Sequence, residues 1–275
     1  MDFWDTKRIW IVGASSGIGE GLVRLLAEKG ANLILSARNE SKLLELKSSF
    51  PKSKIEVLSL DVEEISALPG KTSQAWQIFG GLDYVFLNAG MSVRDLVTEC
   101  KLEVERKIMD INFWGPVAIS KELLKLRTPE NPLHLVLTSS LSGKYGVPKL
   151  AAYAASKHAM QGYFDSLRAE THGSGLFIHI VIPGFIQTNI TVAGLRGDGS
   201  TSGKMQNALA DGMDPIRCAK GILIGLEKGM EEFVVGGSER YTVALNRLFP
   251  GLMKVLIRSN PLQRLKKFRK TFLGN

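Results

Sequence analysis

Short apolar runs alternate along this chain with longer stretches whose apolar positions recur every three or four residues. The first pattern predicts strands over 8–12, 32–36, 55–60, 82–88, 133–138, 176–182 and 232–235. The second predicts helices over 17–29, 39–49, 63–79, 99–127, 151–171 and 215–229. Strands that alternate with helices are joined by crossovers and lie parallel. A strand covered on both faces has no polar side, and Leu133-His-Leu-Val-Leu137 and Phe177-Ile-His-Ile-Val-Ile182 are apolar nearly throughout. The expected architecture is α/β, a doubly wound parallel sheet of about seven strands with helices on both faces. Residues 188–214, rich in glycine, serine and threonine, follow neither period. A loop of that length inside a compact unit is usually functional or disordered.

The first strand–helix junction carries chemistry. Arg8-Ile-Trp-Ile-Val12 runs directly into Gly13-Ala-Ser-Ser-Gly17-Ile-Gly19, and Ile18, Leu22, Leu25 and Leu26 then form a helical stripe ending near Gly30. Strand, glycine loop and helix N-terminus in that order suit a phosphate. Backbone N–H groups point at the anion, and missing side chains allow close approach. The G-x-x-x-G-x-G spacing differs from the generic G-x-G-x-x-G. Nor does the chain hold a P-loop, because Ile65 stands where that motif's first glycine belongs ahead of Gly70-Lys71-Thr72.

A second constellation lies further on. Tyr153 and Lys157 are four apart in the helix-favouring run Ala151-Ala-Tyr-Ala-Ala-Ser-Lys-His-Ala159, and Ser140 is thirteen residues upstream of the tyrosine. Positions i and i+4 share a helix face, so a phenol and an ammonium are held side by side. A fixed positive charge favours the phenolate and is expected to lower the tyrosine pKa from about 10. With a serine hydroxyl on the same substrate oxygen, the set suits proton transfer at an alcohol or carbonyl.

These segments together resemble the short-chain dehydrogenase/reductase family, over about Lys7 to Gly237. The resemblance rests on Gly13/Gly17/Gly19, Asn88-Ala89-Gly90, Asn112, Ser140, Tyr153/Lys157 and Pro183-Gly184, in the family's order and spacing. Two positions depart from the pattern. Val12 replaces a usual threonine before the first glycine, and Leu87 stands where the first of two asparagines often sits. Both touch loop rigidity rather than chemistry.

The resemblance implies a Rossmann-type catalytic domain over 1–239, with 188–214 as a lid over the substrate. It implies an oxidoreductase interconverting a carbonyl and an alcohol by hydride transfer. Tyr153 would be the acid/base, Ser140 would hold the substrate oxygen, and Lys157 would lower the tyrosine pKa and bind the nicotinamide ribose. Asn112 would hold a water that links Lys157 to solvent. Cofactor contacts are expected at Gly13, Ser15, Ser16, Gly17, Ile18 and Gly19, and at Val62, Asn88, Ala89 and Gly90. Asp61 would contact the adenine amino group and Thr188 the carboxamide, and Pro183, Gly184 and Ile186 are also expected on the cofactor. The family's habit also implies a homodimer or homotetramer through the helices near 99–127 and 151–171. Cofactor choice turns on the end of the second strand, where an acid selects NAD and an arginine accommodates the 2′-phosphate of NADP. Here Ser36-Ala37-Arg38-Asn39 offers no acid before Glu40, so NADP(H) is expected, with Arg38 and Ser36 on the phosphate.

Charge separates the chain into two parts. The net charge is +8, yet residues 240–275 hold nine Lys/Arg and no acid, leaving 26 basic against 27 acidic residues elsewhere. The body is neutral, so the high pI says nothing about the substrate. In the extension, Leu245, Leu248, Phe249, Leu252, Val255 and Leu256 recur at near-helical spacing, Pro250 and Pro261 should divide any helix, and 262–270 is basic and amphipathic. The extension either packs on the lid or a partner subunit, or lies on anionic membrane. Nucleic acid is not expected, since aromatic residues are scarce there. Apolar residues of 188–214 (Val192, Leu195, Met205, Leu209, Met213) suit an apolar alcohol or ketone substrate, or simply close the domain.

Cys100 and Cys218 make no disulfide framework and fit a reducing, cytoplasmic setting. The first strand begins by residue 8, which leaves no room for a signal peptide, and no run of about 18 uncharged apolar residues exists. Asn39-Glu-Ser41 and Asn189-Ile-Thr191 match the glycosylation pattern but carry no meaning in that setting. The four histidines have no ligand spacing, so no metal is expected. Two rival readings stand beside the oxidoreductase. Gly13-Ala-Ser-Ser-Gly17 also fits a hydrolase nucleophile elbow using Ser15, but only twelve residues precede it and that fold needs an earlier strand. A catalytically silent NADP(H)-binding regulator would need a lost catalytic group, and all four are present.

Overall fold

The computed structural model describes residues 2–259. The chain runs through β1 (Arg8–Val12), α1 (Gly17–Glu28), β2 (Asn32–Ser36), α2 (Glu40–Ser48), β3 (Ile55–Val57), α3 (Leu68–Ile78) and β4 (Tyr84–Leu87). It continues with α4 (Leu102–Met109), α5 (Gly115–Leu126), β5 (Leu133–Thr138), α6 (Ala151–Glu170), β6 (Leu176–Pro183) and α7 (Asn207–Ala210). It ends with α8 (Pro215–Glu227), β7 (Glu232–Val235), α9 (Tyr241–Leu248) and α10 (Pro250–Ser259).

The described strands form one seven-stranded sheet in the order β3-β2-β1-β4-β5-β6-β7. Every pairing is parallel. Because side chains alternate across a strand, each strand feeds two cores. Ile9, Ile11, Leu33, Leu35 and Phe86 pack beneath α1, α2 and α8. Trp10, Val12, Ile34, Val85 and Leu135 pack beneath α3, α5 and α6. The chain winds outward from β1 to β3, then returns to lay β4 on the other side of β1. At that reversal the connections leave in opposite directions and open a crevice at the carboxyl ends of the strands.

The element pattern differs from expectation in three places. The strand expected over 55–60 ends at Val57, although Leu58 and Leu60 still donate to the carbonyls of Leu35 and Ala37. The helix expected from 63 begins at Leu68 after a short turn over Ile65–Ala67, with Pro69 in the first turn, where its missing N–H costs nothing. The helix expected over 99–127 is α4, a wide π turn over Asp110–Trp114, and α5. Pro116 cannot donate to the carbonyl of Asn112, so the four-residue ladder breaks there.

The segment 188–214 is laced down rather than loose. Leu195 N–H donates to Ser92 O (2.8 Å), its carbonyl accepts from Arg94 N–H (3.0 Å), and Gly197 O accepts from Lys101 N–H (2.9 Å). Leu195 packs with Val93, Val104, Ile108 and Ala152, and Met213 packs on the core. Those two side chains close the domain. The start of the extension is likewise docked. Thr242 and Tyr145 share a hydroxyl–hydroxyl bond of 2.7 Å, Asn246 Nδ2 donates to Lys144 O (3.0 Å), and Met253 is 5% exposed. The basic stretch 262–270 lies outside the described residues.

Ser36 is corrected by the fold. Its side chain is fully buried, its Oγ accepts from Trp10 Nε1 at 2.8 Å, and it donates to Leu58 O at 2.6 Å. The hydroxyl is spent on the core and does not reach a cofactor phosphate. Ser36→Ala should leave the buried indole N–H unpaired and cost about 1–3 kcal/mol in urea unfolding, with cofactor preference unchanged. A shifted preference at unaltered stability would contradict this placement.

Candidate active site

A cleft of about 310 Å³ opens at the switch point between β1 and β4. Gly13 turns out of β1 with φ +91°, and a Cβ there would lie 2.6 Å from Ala89 N. Only glycine lets the two loops meet. Ser16 begins α1 in extended conformation without a side-chain cap, so the first-turn N–H groups are left for an external acceptor. Ser15, Ser16, Gly17 and Ile18 line the cleft. Gly19 does not. It is a packing glycine, where a Cβ would collide with Gly13 O and sit 2.8 Å from Asn88 Nδ2. An uncapped helix N-terminus beside small residues fits the phosphates of a dinucleotide.

Replacement of the usual threonine by Val12 leaves the loop tied by other means. Asn88 Nδ2 donates to Gly13 O at 3.0 Å, and Asn88 Oδ1 accepts from Thr138 Oγ1 at 3.0 Å. Asn88 and Ala89 N–H both donate to Val12 O, at 3.0 and 2.8 Å. Val12 and Leu87 are each 1% exposed and belong to the core. Asn88 joins the ends of β1, β4 and β5 through one side chain. Thr138 was not singled out from the sequence; its only sequence signal is its place just before Ser139-Ser140 at the end of a strand.

Tyr153 and Lys157 sit one turn apart on α6, both lining the cleft. Lys157 Nζ donates to Thr138 O at 2.8 Å and lies 5.8 Å from the centre of the Tyr153 ring. Burial pushes the Lys157 ammonium down from its ordinary 10.5 to about 8. Burial also raises the Tyr153 phenol, and the hydrogen bond with Ser140 partly opposes the rise. Burial, rather than the lowering expected from Lys157, governs the tyrosine here. Ser139 is buried and accepts from Gln161 Nε2 at 2.7 Å, whereas Ser140 faces the tyrosine and accepts from Ser142 N–H at 3.2 Å. Ser139 belongs to the cleft wall, while Ser140, the serine favoured by the thirteen-residue spacing, is the one hydrogen-bonded to Tyr153.

Asn112 is fully buried in the π turn and lies outside the cleft wall. Its Oδ1 accepts from Met91 N–H (2.8 Å), and its Nδ2 donates to Met91 O (2.9 Å) and Ser156 Oγ (3.0 Å). The side chain clamps the segment after Gly90 to α6, with both Nδ2 hydrogens committed to that clamp.

The cleft mouth holds Arg38 and Asp61, whose closest charged atoms are 4.0 Å apart, with the arginine side chain 58% exposed. Val62, Asn88, Ala89, Gly90 and Thr188 also line the cleft. Pro183, Gly184 and Ile186 stand behind it. Pro183 ends β6 and pairs with Val235, Gly184 N–H donates to Val235 O (2.9 Å), and Ile186 is 3% exposed in the core. Asn189, Ile190 and Ala193 add cleft wall that the sequence placed only generally in the lid.

Ser15 lies on this loop, and no histidine lines the cleft beside it. His134 Nδ1 and His179 Nε2 meet at 2.9 Å on the sheet, His179 Nδ1 contacts Met230 O at 2.7 Å, and His158 Nδ1 contacts Ala154 O at 2.8 Å. Among the described residues no group of three or more His, Cys, Asp or Glu could hold a metal ion.

Residues 7–196 match the family model for short chain dehydrogenases. Among curated relatives, "Dehydrogenase/reductase SDR family member 7B" of Bos taurus is 34% identical over 270 residues, covering 95% of this chain and 82% of its own. The "Dehydrogenase/reductase SDR family protein 7-like" of Drosophila melanogaster is 34% identical over 253 residues, covering 90% and 78%. A short-chain dehydrogenase/reductase from Burkholderia phymatum, solved in complex with NAD, superposes with TM-score 0.79 at 19% identity, over 92% of this chain and 96% of that one. A short-chain dehydrogenase from Burkholderia cenocepacia, solved with NADP, gives TM-score 0.76 at 19% identity, over 92% and 97%. At such identities the two structures speak for the fold alone.

The lysine's burial has a measurable consequence. Its pKa is about 8 in the fold against an ordinary 10.5, so the folded state binds fewer protons between those values. The penalty for the buried charge is fully present below about 8 and is relieved as pH rises toward 10.5. Against Lys157→Met, the parent protein without cofactor should gain up to about 3 kcal/mol of relative stability across that window. A stability difference that stays constant from neutral to alkaline pH in urea unfolding would contradict it.

Proposed function

This chain belongs to the short-chain dehydrogenase/reductase family, and on that premise we propose that it is an NADP(H)-dependent oxidoreductase interconverting a carbonyl and an alcohol on an apolar small molecule. The family is one of oxidoreductases that use a nicotinamide dinucleotide, which when bound supplies or accepts the hydride. The observation that carries the finer reading is that Tyr153, hydrogen-bonded to Ser140, and Lys157 line one cleft with the uncapped start of α1.

Each residue then has a task. Ser140 holds the substrate oxygen and stabilises charge developing there. Tyr153, whose raised pKa keeps it protonated at neutral pH, donates its proton to that oxygen in reduction and takes it back in oxidation. Lys157, fixed by Thr138 O, binds the nicotinamide ribose and offsets negative charge on the phenol. Asn112 keeps the segment after Gly90 in register with α6. Asp61 serves the adenine, Thr188 the carboxamide, and Arg38 the 2′-phosphate. Met91, Ile190 and Ala193 on the cleft wall support an apolar substrate.

We further assign the protein to the cytoplasm, supported by the two free cysteines, and to a homodimer or homotetramer through α4, α5 and α6. Exposed Leu102 (58%) and Trp114 (48%) on that side support the self-association. No helix among the described residues is long and apolar enough to cross a membrane.

Arg38→Asp should reverse a preference for NADPH over NADH, by about one to two decades in affinity, because a charge-assisted contact is worth ~1.5–3 kcal/mol. Equal affinity of the parent protein for both cofactors, measured by fluorescence titration, would remove the NADP assignment. Tyr153→Phe should abolish turnover of a ketone found by NADPH-consumption screening while leaving NADPH affinity nearly intact. Parent-like turnover by that variant would rule out the tyrosine as acid/base.

A further inference from the structure

The extension presents two unlike faces. Toward the body, Val243 packs on the core, Thr242 bonds Tyr145, Asn246 bonds Lys144 O, and Met253 is buried. Toward solvent, Tyr241 (61% exposed) and Leu248 (69%) on α9, Phe249 (59%) at the junction and Leu252 (52%) on α10 are apolar and exposed. Arg240, Arg247, Lys254 and Arg258 are exposed around them, and no acid occurs anywhere in 240–275. The body, by contrast, is close to neutral.

We propose that the outer face of α9 and α10 is a docking surface for anionic membrane, which holds the catalytic cleft against the lipid. Exposed apolar side chains ringed by cations match an interface that is apolar below and negative above. A second copy of the chain fits poorly. A two-fold contact would set this all-cationic segment against itself, with no acid on it to pair. The extension beyond α10 adds Arg264, Lys266, Lys267, Arg269 and Lys270, charge of the same sign.

The orientation follows from what α9 is braced against. Lys144 and Tyr145 belong to the loop that starts at Ser140. Glu239, just before α9, accepts from Phe185 N–H (3.0 Å) and Gly237 N–H (2.9 Å), tying the same helix to the root of the 188–214 segment. A membrane beneath α9 therefore lies beside the loop that carries Ser140 and the root of the segment covering the cleft. The substrate class is then an alcohol or ketone dissolved in lipid, a step that rests on the oxidoreductase reading above.

The test uses the full chain and vesicles of phosphatidylglycerol with phosphatidylcholine, against phosphatidylcholine alone. The protein should sediment with the anionic vesicles at low salt and release as salt rises. Leu248→Asp with Phe249→Asp should lower the bound fraction at least about tenfold with NADPH binding unchanged. Removing 262–275 should weaken binding without abolishing it, because the apolar face remains. In a Cys100→Ser background, a fluorophore at Phe185→Cys should be quenched by nitroxide lipid more strongly than one at Leu44→Cys, which sits on α2 by the opposite sheet edge. No binding at low salt, parent-like binding by the Leu248/Phe249 variant, or complete loss on removing 262–275 would overturn the surface. A mass that falls on introducing that double change would make the face a self-contact and also overturn it. Equal quenching at the two positions would overturn the orientation. None of these readouts needs turnover, so their failure is distinct from failure of Tyr153→Phe to silence the enzyme.

Discussion

One side chain holds the chemistry of this molecule in line. Asn88 reaches from the end of β4 to the carbonyl of Gly13 beyond β1 and to the hydroxyl of Thr138 on β5. Parallel strands that end at a switch point leave their carboxyl ends without sheet partners beyond the last pair, so loops there hold position only through side chains and close backbone contact. Gly13 pressed against Ala89 supplies the contact, and Asn88 the hydrogen bonds. Lys157 is then hung from Thr138 O, and Tyr153 stands one turn earlier on the same helix. Move Asn88, and the glycine loop and the lysine lose their common reference.

Burial sets the protonation of the pair that hangs from this frame. Tyr153 and Lys157 are both crowded by protein, and desolvation favours the neutral form of each, raising one and lowering the other. An i,i+4 argument from the sequence gives the attraction between the two charged forms but not the cost of creating either one inside the protein. At this site the cost is the larger effect. The raised phenol remains a proton donor at neutral pH, which suits the direction of carbonyl reduction in the proposed reaction.

The body and the extension divide the remaining physics between them. A near-neutral body buries its sheet in two cores and presents the cleft, while the cationic extension begins as two helices laid on the loop after Ser140. The segment 188–214 illustrates how composition misleads. Its glycines and serines suggest a free lid, yet its backbone is bonded across to residues 92–101, and Leu195 and Met213 are packed into the body. Polar composition describes side chains, and what fastens this segment is backbone.

The alternation of apolar periods was sufficient for the seven strands and their parallel arrangement, because a strand buried on both faces has to be apolar throughout. Spacing was sufficient to keep Gly13 with Gly17 and Tyr153 with Lys157, since each pair lies within a single loop or helix turn; the packed sheet brought the two pairs to one cleft. Where a contact joins distant segments, local pattern had no access to it. Ser36 sits at the right strand end for a phosphate, but Trp10 on the neighbouring strand claims its hydroxyl. Asn112 reads as one more helix residue until Pro116 breaks the ladder and turns it onto Met91. Thr138 became visible only when β4 and β5 paired. The sequence determined which elements form and which groups travel together; the tertiary structure decided which polar atoms were still free once those elements had packed, because a buried donor or acceptor takes whatever partner the packing brings.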